Sequence, residues 1–267
     1  MQAAATQCWR LIQISDPHIG DDREHRLAGI QTHESYRAVL AAVAAMTPIP
    51  DLIMVTGDIA ARGSAKAYEL FNQQIKFLDL PYAWLPGNHD DFAVMQQGMS
   101  SSPHWPLLEF SPWRVLSLNT AVAGQAPGAL AADELEFLDR TLAREVNNPA
   151  VIFMHHPPIA VGCDWLDRQA IANAAELAAV VGRHRNVKAI FTGHVHQVFT
   201  ADWAGTVVRT TPSTCFQFAV NSRDFALADD PPGFRWIDLH GDGRLDTGVV
   251  YLDSDNHQRV DHGSSGY

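Results

Sequence analysis

Five short apolar runs in this chain each lead, within three residues, to side chains that bind divalent metals. Leu11–Ile14 precedes Asp16-x-His18, Leu52–Val55 precedes Gly57-Asp58, and Ala83–Leu85 precedes Gly87-Asn88-His89-Asp90. Val151–Met154 runs into His155-His156-Pro-Pro, and Ala189–Phe191 precedes Gly193-His194-x-His196. The runs are of strand length and bounded by turn residues. Between several of them, apolar residues recur at helical spacing: Tyr36, Val39, Leu40 and Val43; Tyr68, Phe71, Ile75 and Leu78, with Ser64 as the expected N-cap; and Leu135, Leu138 and Leu142. Alternating strand and helix predicts an α/β core with buried strands. Loops beyond the carboxyl ends of such strands gather on one edge, where ligand sites lie. All five stretches are therefore expected to meet there.

After residue 195 the pattern changes. Val198–Trp203, Thr206–Arg209, Cys215–Phe218, Phe234–Leu239 and Gly248–Leu252 read as strands joined by short Gly- or Asp-rich turns, with no clear helix among them. These are expected to be antiparallel, giving two packed sheets with helices outside. With 46% apolar residues the chain can bury a full core, and no repeat or linker divides it. A single domain over residues 1–258 is expected, with 259–267 as a flexible tail.

Composition excludes several classes of function. A formal charge of −11 with three lysines argues against long nucleic acids or an anionic membrane as partners, because both are held by clustered cations. Three widely spaced cysteines, Cys8, Cys163 and Cys215, form neither a disulfide framework nor a thiolate metal site. The amino-terminal segment does not read as a secretory signal, and no apolar stretch approaches the roughly 20 residues of a membrane span. The expected setting is the cytoplasm.

Each of the five stretches has a purely structural reading when taken alone. Asp-Pro and Gly-Asp are common turn residues, His-His-Pro-Pro makes a rigid strand exit, and two histidines at i and i+2 share one strand face. All five being structural together is improbable. Carboxylate, amide oxygen and imidazole without thiolate suit Mn, Fe, Zn, Co or Ni. One carboxylate, Asp58, can bridge two cations, and two metals about 3.5–4 Å apart clamp a phosphoryl group and activate water for in-line displacement. Phosphoester hydrolysis is the expected chemistry.

In this order the stretches resemble the pattern DxH, GD, GNH(D/E), H and GHxH of the calcineurin-like metallophosphoesterases, from residue 16 to residue 196. The resemblance implies a four-layer α/β/β/α sandwich of two mixed sheets flanked by helices, with a dinuclear metal centre. Carried over position by position, Asp16, His18 and His196 would hold one ion and Asn88, His155 and His194 the other, with Asp58 between them. His89 would be catalytic, beside the scissile phosphate. Asn88, His89 and His156 would contact substrate. Iron and manganese are the metals expected, with zinc, cobalt or nickel as alternatives.

His33-Glu-Ser-Tyr36, Phe153-Met-His-His-Pro-Pro158, Pro212-Ser-Thr-Cys-Phe-Gln217 and Pro232-Gly-Phe-Arg-Trp236 resemble the bacterial class III cyclic-nucleotide phosphodiesterases. That branch implies hydrolysis of a small phosphodiester, 3′,5′-cyclic AMP to 5′-AMP as the leading expectation, by attack of a metal-bridging hydroxide. Glycerophosphodiesters, 2′,3′-cyclic nucleotides and phosphomonoesters are the alternatives, and a non-enzymatic scaffold fits the intact ligand set poorly. Relatives of this kind often form homodimers. The segment from Pro157 to Arg168, with Trp165, and the stretch Thr211–Phe218 are expected at the mouth of the site.

Overall fold

A computed structural model describes residues 7–99, 104–253 and 258–264. The chain begins with β1 (Cys8–Ile14), a small ribbon of β2 (Arg26–Leu27) and β3 (Ile30–Gln31), and α1 (Thr32–Ala44). It continues through β4 (Leu52–Thr56), α2 (Ala65–Ile75), β5 (Tyr82–Leu85), α3 (Phe92–Gly98), β6 (Leu107–Phe110), β7 (Trp113–Ser117) and α4 (Ala132–Arg144). Next come β8 (Ala150–Met154), α5 (Asp164–Asp167), α6 (Ala174–Val181), β9 (Val187–Thr192), β10 (Thr200–Trp203) and β11 (Thr206–Thr210). A second ribbon of β12 (Gln217–Phe218) and β13 (Leu227–Ala228) precedes β14 (Gly233–His240) and β15 (Leu245–Tyr251).

Two mixed sheets carry the fold, in the orders β15-β14-β1-β4-β5 and β10-β11-β9-β8-β7-β6. Strand alternation sorts the side chains into layers. Leu11, Met54, Val151, Phe153 and Phe191 point between the sheets, while Ile12, Ile53 and Val55 face α1, α2 and α3. Ile152, Met154 and Ile190 face α4 and α6 on the far side. The result is the expected helix–sheet–sheet–helix sandwich. Burying each such Leu, Ile or Phe contributes about 1.5–3 kcal/mol, so the inter-sheet layer fixes how the strands of the two sheets lie against each other.

The helices follow the predicted stripes. Tyr36, Val39, Leu40 and Val43 of α1 are buried, and so are Leu138 and Leu142 of α4. Ser64 caps α2, its hydroxyl accepting from the Ala67 amide at 3.1 Å. Leu78 lies in a 3-10 turn beyond α2 and is only partly buried. Helices α3 and α6 are not marked by the stripes: α3 buries Met95 alone, and α6 is so rich in Ala and Val that its apolar face has no contrasting polar side.

The strands after residue 195 depart from expectation in two places. β14 and β15 are antiparallel neighbours and β10 is antiparallel to β11, but β11 runs parallel to β9. A tight turn at Ala204 and Gly205, with φ of 48° and 82°, reverses the chain after β10 and returns it beside β9 in the same sense. The predicted strand Cys215–Phe218 shrinks to Gln217–Phe218. Upstream of it, Thr214 donates its amide to Ser15 O at 3.0 Å and Ser213 Oγ donates to Asp16 O at 2.8 Å, so this backbone props the first ligand loop instead of a sheet.

Residues 258–264 are tied down where described: Gln258 bonds both the amide and the carbonyl of Gln31, and the Asp261 amide donates to Ala28 O at 2.8 Å. The rest of the expected tail, 265–267, lies outside the described residues, as does His257. No described helix is long and apolar enough to cross a membrane.

Candidate metal centre and cleft

Strands β1, β4 and β5 are parallel in one sheet and β7, β8 and β9 in the other. Asp16, Asp58, Asn88, His155 and His194 each follow the carboxyl end of one of five of these strands, on the same edge of the sandwich. The exits are tight. Asp16, His18, Asp58, His194 and His196 all have φ between 44° and 68°, a left-handed conformation that costs a non-glycine residue free energy and clusters at functional sites. Glycines let neighbouring loops close on one another. A Cβ at Gly87 would stand 2.1 Å from Asp58 Oδ1, and at Gly57, whose φ is 88°, it would stand 2.4 Å from His155 Nδ1.

The donors converge. His155 Nε2 lies 3.3 Å from Asp58 Oδ2, 3.2 Å from Asn88 Oδ1 and 3.9 Å from Asp16 Oδ1. His196 Nε2 is 3.5 Å from Asp16 Oδ1, and His18 Nε2 is 3.9 Å from Asp58 Oδ2 and 3.3 Å from His196 Nε2. Ligand atoms of Asp16, His18 and His196 lie within 4.8 Å of one another, as do those of Asp16, Asp58 and His155, and those of His155, His156 and His194. Asp58 stands where these groups meet. The seven expected ligands are thus brought to one place, at the floor of a cleft.

Their chemistry fits a pair of divalent ions. His155 Nδ1 donates to Thr56 O and His196 Nδ1 to Phe216 O, both at 2.8 Å, which turns each Nε2 toward the carboxylates as a potential ligand. His194 Nε2 is buried with no hydrogen-bond partner among the described residues, a costly state for an imidazole nitrogen unless a cation takes it up. Burial holds the pKa of His18 and of His194 well below that of free imidazole, so these rings are neutral, as ligands must be. Burial would lower His155 as well, but the carboxylates of Asp58 and Asp16 push it up to about 9. Asp58, despite burial that favours its neutral form, is held well below the usual carboxylate range by His155, His89 and His18. These carboxylates demand positive charge between them, and a divalent cation supplies it.

His89 lies beside this set, with a ring nitrogen within 4.8 Å of ligand atoms of His18 and Asp58. Its amide donates to Asp58 Oδ1 at 2.9 Å and its Nδ1 lies 3.1 Å from Ala61 O, and its side chain lines the cleft.

His156 has different surroundings from those expected of a substrate contact. Its Nε2 donates to Ala126 O at 3.0 Å, its Nδ1 is 2.8 Å from Thr120 Oγ1, and the ring is fully buried. Burial, with the neighbouring charge of His155, pushes its pKa down to about 3. A neutral ring with Nε2–H donating and Nδ1 accepting satisfies both partners. His156 therefore anchors the 120–128 loop, and its nitrogens are engaged by protein.

Asp90, quoted in the motif but given no role there, ties the ligand loops together. Its two oxygens accept from the amides of Ile59, Ala60 and Gly87 and from the Tyr68 hydroxyl at 2.9–3.1 Å. Burial and the nearby Asp58 raise its pKa to about 6. A further polar layer lies beneath the floor. Arg235 bonds Thr210 O and Thr211 Oγ1, Thr211 bonds Gln13, and Gln13 bonds Thr56. These residues occupy positions where the strand pattern alone predicts apolar ones, so spacing could not single them out. Of the remaining histidines, His33 is buried against Gly20 O, while His184 and His240 pair with Asp139 and Asp246 away from the centre.

The cleft over this floor measures about 360 Å³. Asn88, His89 and His194 form its base, the exposed Gly124–Ala126 segment one bank, and Trp165, Gln169, Phe218 and Phe225 the other. Neither Lys nor Arg is among the described lining residues. A phosphate entering here would find its positive charge in bound metal.

Comparison with known proteins agrees with this geometry. Residues 10–198 match the calcineurin-like phosphoesterase family. The chain is 38% identical over 261 residues to the 3′,5′-cyclic adenosine monophosphate phosphodiesterase CpdA of Escherichia coli, covering 97% of this chain and 94% of that protein. It is 30% identical to a probable glycerophosphodiester phosphodiesterase, GpdQ, of Arcobacter nitrofigilis, covering 91% and 93% of the two chains. Among solved structures it is similar to a dimetal phosphatase from Danio rerio, with a TM-score of 0.62 at 16% identity over 92% of this chain and 99% of that one.

Proposed function

The chain belongs to the calcineurin-like phosphoesterase family and is a metal-dependent phosphodiesterase, and from this premise we propose that it hydrolyses 3′,5′-cyclic AMP to 5′-AMP. The observation that carries the substrate is the near full-length similarity to CpdA, which extends past the metal motifs into both aromatic segments that border the cleft. In this reading Asp16, His18 and His196 would hold one ion and Asn88, His155 and His194 the second, with Asp58 available to both. The donor set, oxygen and imidazole without thiolate, supports iron and manganese, with zinc, cobalt and nickel as substitutes. Three unpaired cysteines, one of them exposed, support a reducing, cytoplasmic setting.

When bound, the ions supply Lewis acidity toward the phosphoryl oxygens and make water nucleophilic near neutral pH. The protein's part is positional. Thr56 O and Phe216 O fix the tautomers of His155 and His196, while Asp90 locks the Asp58 and Asn88 loops in register. Ala61 O accepts from His89 Nδ1–H, so a second proton, on Nε2, makes the ring the imidazolium that acid catalysis requires. Water adds to phosphorus as the P–O3′ bond breaks, its displaced proton passing to solvent, and the His89 imidazolium donates its Nε2 proton to the departing 3′ oxygen. Asn88, beside His89, faces the same phosphate.

The test is kcat/KM of the metal-loaded enzyme for cyclic AMP, glycerophosphocholine and bis(p-nitrophenyl) phosphate. Cyclic AMP is expected to be the best of the three. A higher value for glycerophosphocholine would replace this reading with glycerophosphodiester hydrolysis.

A further inference from the structure

One bank of the cleft is aromatic from the metal centre outward. Phe218 stacks on the ring of His196, with centroids 4.3 Å apart and planes at 17°. Trp165 meets Phe218 edgewise at 4.8 Å and Phe225 at 5.3 Å. All three rings line the cleft, Phe218 as a buried core residue and Trp165 and Phe225 as half-buried ones. The indole is held in place by a 3.1 Å hydrogen bond from its Nε1 to Ser222 Oγ. An aromatic surface thus borders the cleft, one ring away from His196.

Gln169 follows Trp165 by four residues. α5 ends at Asp167 and the chain continues as a turn, with the Gln169 amide donating to Leu166 O at 2.8 Å. Trp165 and Gln169 both line the cleft. Gln169 is the polar side chain on the aromatic bank. Its carboxamide offers one donor and one acceptor side by side.

We propose that this bank is a base-reading subsite, in which the purine of the nucleotide stacks on Trp165 beside Phe225 and the Gln169 carboxamide pairs with the N6 and N7 positions of adenine. The inference rests on the cyclic AMP reading and deepens it. Every base has a face to stack, so Trp165 supplies affinity for nucleobases in general. Selectivity comes from Gln169, because an amide matches the donor–acceptor pair N6–H and N7 of adenine and meets two acceptors, O6 and N7, in guanine. Ordinary packing would explain Phe218, but it does not explain why the indole and the glutamine both face the cleft.

The subsite is tested by equilibrium binding of 5′-AMP, 5′-GMP and ribose 5-phosphate to the metal-loaded enzyme, measured by titration calorimetry. Stacking of a base on an aromatic side chain strengthens binding about five- to 150-fold, so wild-type enzyme is expected to bind 5′-AMP more tightly than ribose 5-phosphate by a factor in that range. Trp165→Leu is expected to erase that advantage, and Trp165→Phe, which keeps a ring and checks that the bank still folds, to retain most of it. Gln169→Leu is expected to bring 5′-AMP and 5′-GMP within about threefold of each other. Equal binding of 5′-AMP and ribose 5-phosphate by wild type, or a full advantage in Trp165→Leu, would overturn the subsite. Because product binding is measured without turnover, these outcomes are separate from failure of cyclic AMP as substrate, which the comparison of kcat/KM detects.

Discussion

On the floor of the cleft Asp16, His18, His155 and His196 are 0% exposed and held by two or more neighbours each, whereas on its banks Gly124, Gln125 and Ala126 are exposed and Trp165, Gln169 and Phe225 half-buried. The floor is made of loops that close on one another through glycines and left-handed backbone. The banks come from loop and short-helix segments, tied down by bonds such as those of His156 to Thr120 and Ala126 and of Trp165 to Ser222. A buried, cross-linked floor is suited to fixing the reaction, and a more open rim to selecting the ester. Changes to the floor should therefore remove metal or turnover, and changes to the banks should alter affinity and selectivity.

The strongest challenge to this division is Asp58→Ala, which removes the carboxylate shared by both ions. A fall of at least about 10³-fold in kcat/KM is expected, together with loss of metal by elemental analysis. Normal metal content with that loss of activity would show that Asp58 acts on substrate and not as a bridge.

His89→Ala sharpens the floor into two functions. Both ions should remain, and kcat should fall about 10²- to 10⁴-fold, the usual contribution of a positioned proton donor. Full activity on cyclic AMP would remove His89 from the mechanism.

Asp90→Asn weakens the ties to Ile59, Ala60 and Gly87 without touching a ligand. Supports of this kind contribute about 10- to 100-fold in metal affinity or activity, so metal should be bound that much more weakly in a competition assay with a chelator. Unchanged affinity would mean that the loops hold their register without it.

His156→Gln probes a bank from below. Freed from its anchor, the 120–128 loop should raise KM about tenfold while kcat and metal content change little, the signature of lost ground-state and transition-state binding together. Loss of metal instead would return His156 to the ligand set.

The smallest effect belongs outside both regions. Ser64→Ala removes the cap of α2 at a cost of about 1 kcal/mol in stability, measured by urea unfolding, with kcat/KM unchanged. A change in kcat/KM would show that α2 communicates with the floor.

The same contrast explains what could be read in the sequence. Floor residues are polar side chains at strand exits, where each interrupts an apolar run, and the five interruptions share one topological position. That made Asp16, Asp58, Asn88, His155 and His194 legible from the order of residues alone. Sheet-and-helix layering was legible for the same reason, since Leu11 and Ile12, or Phe153 and Met154, alternate between two buried faces. The direction of β11 was not, because period-2 alternation is the same for parallel and antiparallel strands. Nor was the anchoring of His156, which depends on a carbonyl 30 residues away in sequence. Gln169 gives no pattern at all: a lone glutamine after a one-turn helix acquires meaning only from the tryptophan and the cleft beside it.

That seven side chains at one edge of the sandwich hold two metal ions on which diester hydrolysis depends is tested most directly by counting metal per chain while turnover of cyclic AMP is followed through removal and return of metal. The account predicts two ions per chain in the active protein, loss of activity on exhaustive chelation, and recovery that reaches completion only as the second ion binds. Undiminished cyclic AMP hydrolysis by metal-free protein would contradict it.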